Sequence, residues 1–358
     1  MTTDSTALSD AVLGELLAFL SVEDFLALER VDRAWQQTLA NKRLWRRVQV
    51  DGGQDCEKTC KVINQVADRH GSHVERLILS GCVVPKGAIV KAANHFVTLT
   101  HLVVSGCQTL ANEDFIALVR ASNQQLVEVR AVKCLRLTDA ALQAVAEHHS
   151  QSLECINFSY CRQISKDGVA ALARRCGKLR SVKIKSSPAV TSSVVATIAE
   201  SCPNLDTLLV GGAKNLTDEA LLAIADHCPL LMSLDISRSN PFGLGRGGVT
   251  DGALVYLASR CSFLKRLYLS GQGLLSPSVL GPLANSCPKL ETLDLGGCRG
   301  IIANPMALGA QLRHMNCLHE LSVAFTRSLK SDQIDLIASQ CPQLKAFRVD
   351  GTYVAPLA

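Results

Sequence analysis

Aromatic residues are scarce here: Phe, Tyr and Trp make up 4% of 358 residues. Any core must be filled by Leu, Val, Ile, Ala and Cys, and the apolar share of 47% is ample for that. It also excludes a chain dominated by disorder. No run of about 18 apolar residues occurs, so no membrane span is expected. The opening MTTDSTALSD is polar and acidic, unlike a secretory leader. Strong charge is lacking too: the formal net charge is +5, too weak alone to argue for nucleic acid. These absences predict a cytoplasmic or nuclear chain, where structural disulfides are rare. Its 15 cysteines then need another explanation.

Catalytic signatures are also missing. There is no H-E-x-x-H, G-x-S-x-G or Walker loop. Cys56, Cys60, His70 and His73 are spaced C-x3-C-x9-H-x2-H, with the last two gaps too short for a zinc finger. Cys56 and Cys60 are expected on one face of a helix, and His148 and His149 at a solvated helix end. Carboxylates and histidines are scattered, so no catalytic residue, metal or cofactor is expected.

A repeat is present. The frame L-x-x-L-x-L starts at Val74, Leu99, Leu126, Leu153, Leu179, Leu205, Leu231, Leu264, Leu290, Leu318 and Leu344, at steps of 25, 27, 27, 26, 26, 26, 33, 26, 28 and 26. A period near 26 lies in the leucine-rich-repeat range of roughly 20–29 residues. In LDTLLVGGAKNLTDEALLAIADHC, Leu208 and Val210 alternate inward with Leu209 outward, as on a strand. Thr217 and Asp218 then open a helix, as hydroxyl cap and as carboxylate at the positive dipole end. Leu221, Ile224 and Ala225 form its inward stripe, and Thr250, Asp251, Leu254, Leu257 and Ala258 repeat the scheme. This predicts an α/β, right-handed horseshoe solenoid with parallel strands on the concave face.

The period gives the cysteines a place. Cys82, Cys107, Cys134, Cys161 and Cys298 sit eight residues after a frame start; Cys176, Cys202, Cys228, Cys261, Cys287 and Cys341 sit three before one. Each set stacks as a ladder of small, readily buried side chains. Ser187, Ala213 and Thr352 fill the first slot elsewhere.

The unit CPNLDTLLVGGAKNLTDEAL, begun again by CPKLETLDLGGC, resembles the cysteine-containing leucine-rich repeats of F-box proteins. Residues 8–48, LSDAVLGELLAFLSVEDFLALERVDRAWQQTLANKRLWRRV, resemble an F-box, with Ser9 and Asp32 departing from the usual proline and cysteine. The implied organisation is a three-helix F-box over 1–48, a capping strand and helix over 49–73, and about eleven repeat units over 74–358. The resemblance implies a substrate-recognition subunit of a Skp–cullin–F-box E3 ubiquitin ligase, not itself an enzyme. Its partners would be a Skp-type adaptor, through it a cullin–RING ligase, and a protein substrate. Adaptor-facing residues would be Leu8, Ser9, Val12, Leu16, Leu17, Leu20, Leu28 and Val31, with Trp35 and Trp45 packed against the repeats. Independently, these forty-odd residues carry more apolar surface than they can hide alone. Ser21 to Asp24 reads as a capping box opening a second helix; Trp35 and Leu39 mark a third. The alternative is a repeat scaffold whose helices only cap it, with no ligase role.

The concave face is the expected substrate surface. Its outward row contains Arg130, Asn157 and Lys183, which with Arg180 and Lys185 make a basic stretch, then Asp235, Tyr268 and Asp294, an acidic and aromatic one. An acidic or phosphorylated degron would suit the first; ordinary charge scatter is the alternative. The 33-residue step adds SNPFGLGRGG, 239–248, whose Phe242 and Arg246 are candidate contacts if the insertion is more than tolerated.

Overall fold

The computed structural model describes residues 20–31, 33–53, 55–123, 125–214, 216–240, 248–325, 329–349 and 352–354. Twelve short strands stack in chain order into one parallel sheet. They are β1 (Arg47–Asp51), β2 (Arg76–Ser80), β3 (His101–Val103), β4 (Glu128–Arg130), β5 (Cys155–Asn157) and β6 (Ser181–Lys183). Then come β7 (Thr207–Leu209), β8 (Ser233–Asp235), β9 (Arg266–Tyr268), β10 (Thr292–Asp294), β11 (Glu320–Ser322) and β12 (Ala346–Val349). A last strand, β13 (Thr352–Val354), turns back and pairs antiparallel with β12.

The leucine frame forms the rungs of one continuous core running from Leu26 to Val349. Frame-start leucines such as Leu126, Leu205 and Leu264 are fully buried, as are the inward strand pairs Leu208–Val210 and Leu293–Leu295. β1 precedes the first leucine frame, with Val48 and Val50 as its buried pair. It begins at Arg47, so it crosses the boundary placed at residue 48.

A helix follows most strands. Asn112–Ala121, Lys166–Arg175, Ser192–Ser201, Asp218–His227, Asp251–Arg260 and Ser331–Gln340 are ten residues each. Other units depart from that length. The unit after β2 keeps only Val90–Ala93. After β9, Pro277 opens a 3-10 turn that runs into Leu280–Ser286. After β10 the helix is split, with Arg299–Ile302 separated from Pro305–Leu312 by the capping Asn304.

The helix-opening carboxylates do more than face the dipole. Asp218 accepts hydrogen bonds from the backbone N–H and the hydroxyl of Thr250, the cap of the next helix, both at 2.7 Å. Asp139 does the same for Ser165, and Asp251 for Ser276 with Ser278 added. In these three units the opening carboxylate thus holds the cap of the next helix. Thr217 differs from the expected hydroxyl cap: it occupies the cap position, but its hydroxyl bonds Ser192 Oγ at 3.0 Å and makes no capping bond.

Both cysteine ladders are buried free thiols. In the first, each thiol also donates to a carbonyl of the preceding turn: Cys107 to Leu79 at 3.4 Å, Cys134 to Val104 at 2.8 Å, Cys161 to Ala131 at 2.9 Å and Cys298 to Leu269 at 3.2 Å. Burial pushes the Cys134 and Cys298 thiols up to about 12 and Cys161 up to about 11.

One expectation is overturned. His149 is not solvated but 1% exposed. Its Nε2–H donates to Val119 O at 2.8 Å, and its Nδ1 accepts from Leu126 N–H at 3.4 Å. This unit has no cysteine three residues before Leu153, and the imidazole packs in that region beside Ser122 of the unit before.

Candidate interaction surface

Strand pairing aligns the outward row in register. Ile78, Val103, Arg130, Asn157, Lys183, Leu209, Asp235, Tyr268, Asp294, Ser322 and Arg348 are successive partners on the sheet face away from the helices. A second row, two residues earlier on each strand, runs beside it through Arg76, His101, Glu128, Cys155, Ser181 and Thr207. The two-residue period of a strand is the signal for this second row.

The two charge stretches are not separate. Lys185 reaches two units along the array, and its Nζ lies 2.6 Å from Asp235 Oδ2. Gly211 lies between them, where a Cβ would come within 2.4 Å of Asp235 Oδ1. Burial works to lower the Lys185 pKa, but the Asp235 carboxylate more than offsets it and the net shift is upward. Asp235 is only 2% exposed, so it is a buried anchor rather than an acidic contact.

Other members of the row are engaged as well. Arg130 Nε is bound to the largely buried Glu128, and Arg180 pairs with Asp206 at 3.1 Å. The side-chain oxygens of Asn157, Asp235 and Asp294 accept from N–H groups two residues on, those of Ser159, Ser237 and Gly296, at 3.1, 3.0 and 2.9 Å. These bonds turn the chain out of the strand. Burial raises the Asp294 carboxyl despite its bond from Gly296. Burial also raises the Tyr268 hydroxyl, partly countered by Arg266. Of the basic stretch, Lys183 alone has no carboxylate within ion-pair distance among the described residues. Phe242 and Arg246 lie outside the described residues.

At the other end, Ser21 and Asp24 form the expected capping box at the start of the helix Val22–Leu28, and Arg33–Leu39 follows it. Leu39 and Trp45 are buried, and Trp45 Nε1 donates to Leu39 O at 2.7 Å. Trp35 is half-buried. Glu29 bridges to the helix Cys56–His70 through Arg69 and His70, both at 2.7 Å. His70 is thereby engaged away from Cys56 and Cys60, which share that helix. Among the described residues no group of three or more His, Cys, Asp or Glu converges to hold a metal ion. Of the expected adaptor-facing residues, Leu8, Ser9, Val12, Leu16 and Leu17 lie outside the described residues, as does Asp32. Leu20 is 38% and Val31 64% exposed, and Leu28 is half-buried.

A family model described as "Leucine Rich repeat" matches residues 149–173. The chain is similar to a chain in the crystal structure of the Rad7 and Elc1 complex in yeast, with 17% identity and a TM-score of 0.68 over 94% of this chain and 85% of that one. It is also similar to the internalin InlF of Listeria monocytogenes, with 15% identity and a TM-score of 0.52 over 92% of this chain and 94% of that one. At such identities the likeness is one of fold. Frame, sheet and likeness agree: the chain is an α/β leucine-rich-repeat solenoid.

Proposed function

We propose that the chain is the substrate-recognition subunit of a Skp–cullin–F-box ubiquitin ligase, acting in the cytoplasm or nucleus. Its helical N-terminal segment docks a Skp-type adaptor, and the repeat array binds the protein to be ubiquitinated. The chain supplies no catalytic group; ubiquitin transfer takes place on other subunits.

The observation that carries this reading is the exposed pair Leu20 and Val31, at either end of a helix otherwise anchored to the array through Leu26 and Glu29. Exposed apolar side chains at both ends of an anchored helix are where a partner would cover it. The F-box resemblance of residues 8–48 supplies the kind of partner. Supporting it, a structure of similar fold was crystallised as a complex with a second protein, Elc1.

Co-purification tests the reading. Leu20→Glu with Val31→Glu abolishes recovery of the Skp-type adaptor while leaving the melting temperature of the array unchanged. Adaptor recovery equal to wild type overturns this docking mode and leaves a repeat scaffold with a helical cap.

A further inference from the structure

The loops leaving β4 to β6 share a backbone conformation with their neighbours but not the residue usually required for it. The residue seven after the frame start has positive φ in most units. It is glycine at 81, 106, 212, 271 and 297, with φ of 64°, 77°, 87°, 80° and 68°. In three consecutive units it is Lys133, Tyr160 and Ser186, at 58°, 63° and 51°, and near the far end of the array it is Phe325, at 63°. Side chains are strained there, and such strain clusters at functional sites. Tyr160 is 41% exposed, with Lys133 Nζ 5.8 Å from its ring centroid.

The charge of these loops is one-sided. Residues 131–138, 158–165, 184–191 and 210–217 contain Lys133, Arg136, Arg162, Lys185 and Lys214 and no Asp or Glu. Lys185 is engaged by Asp235. Lys133, Arg136, Arg162 and Lys214 are exposed, with no carboxylate at ion-pair distance among the described residues. Arg162 and Lys214 line one groove of about 850 Å³, together with the hydroxyls of Ser186, Ser187 and Thr191.

We propose that this rim binds an acidic peptide segment of a partner protein, laid across the strands from the loop after β4 to the loop after β7. The proposal deepens the receptor reading above and rests on it. It moves the anion-binding surface from the sheet face, where Glu128, Asp206 and Asp235 already hold every cation of the basic stretch but Lys183, to the rim. Strands about 4.8 Å apart spread the free cations over roughly 14 Å, and an extended peptide covers that in about four or five residues. A row of separated cations matches a run of carboxylates, whereas a single phosphate requires cations that converge. The strained Tyr160 offers an aromatic face midway along the row.

Binding of a fluorescein-labelled peptide alternating Glu and Ser to the full chain, followed by anisotropy, tests this. The Glu–Ser peptide binds saturably at low salt and its Gln–Ser counterpart does not. Arg162→Glu with Lys214→Glu weakens binding about tenfold or more with circular dichroism unchanged, while Lys183→Glu on the sheet face has less than about a twofold effect. Tyr160→Gly weakens binding and raises the melting temperature, because glycine relieves the strained turn. Equal binding by the rim double variant, or the larger loss with Lys183→Glu, overturns the proposal. Tighter binding of oligodeoxythymidine, lost in the same double variant, overturns it in favour of nucleic acid. Adaptor recovery on the same proteins separates the two readings: adaptor retained with rim binding absent sinks only the rim, and adaptor absent from wild type sinks the receptor.

Discussion

The indole of Trp45 lies flat on the imidazole of His70, ring centroids 3.6 Å apart and planes 3° from parallel. Phe25 meets the other part of this cluster edge-on at 5.8 Å from Trp45. Together with Glu29 bridging Arg69 and His70, the stack makes the N-terminal helices and the first turns of the array one packed body. A partner held by the helices is therefore held at a fixed offset from the strands.

That stack depends on pH. Burial lowers the His70 pKa, and the bond to Glu29 opposes this only in part. The folded state thus resists a proton that the unfolded chain accepts below about 6.5. Stability contributed here is fully present above that pH and falls as pH drops toward the depressed folded value. Hydrogen exchange over residues 21–45 quickens between about pH 6.5 and 5 in wild type, and this pH response is lost in His70→Gln. A response unchanged by the substitution refutes the assignment to His70.

The bonds from Asp139, Asp218 and Asp251 to the next helix cap couple neighbouring units of the array. Burial alone would raise the Asp251 pKa, but the Ser276 and Ser278 donors lower it on balance. Its contribution is present at neutral pH and is lost as pH falls through the lowered folded value. Asp251→Ala destabilises the chain by about 2 kcal/mol, because the Ser276 N–H loses its acceptor. Urea melts at pH 7 and pH 3 check this, and the difference from wild type shrinks at the lower pH.

Asp294 has the opposite sign. Its carboxyl is raised by burial, so ionisation at neutral pH costs stability. The cost fades as pH falls from the folded pKa to the unfolded value of 3.8. Asp294→Asn keeps an acceptor for Gly296 N–H and gives a melting temperature equal to or above wild type at pH 7. The gain disappears near pH 3. A lower melting temperature at pH 7 contradicts this account.

Thiol chemistry distinguishes the ladders from the remaining cysteines. Cys56, Cys60, Cys155 and Cys317 are half-buried, and the other eleven are buried. Burial pushes Cys202, Cys228 and Cys261 up to about 12. A thiol kept protonated and out of solvent is a poor nucleophile. Iodoacetamide at about pH 8 labels at most the four half-buried cysteines of the native chain, and mass spectrometry shows the ladders modified only after denaturation.

The array was legible because its signal repeats. A leucine frame every 26 or so residues marks β2 to β12, and the two-residue period places Arg130, Asn157 and Lys183 in adjacent register. What spans units was not legible. Lys185 and Asp235 are fifty positions apart with a whole unit between them, so no local window joins them. Asp218 has a local explanation at its own helix, which hides its bonds to Thr250. His149 looks solvated at a helix end because nothing local shows that it packs where the cysteine ladder, which begins one unit later at Cys176, has no member. Strand β1 has no leucine frame, and only the alternation of Val48 and Val50 marks it.

The reversal of the chain into β13 gives the stack a stop. A parallel array of near-identical units is an open template, since each last strand offers the backbone groups that a further strand needs. Phe347 to Val349 have spent theirs on Thr352 to Val354 running the other way. A further parallel strand therefore cannot extend the array on β12 itself; whatever pairs at this end must first meet β13, which runs the other way.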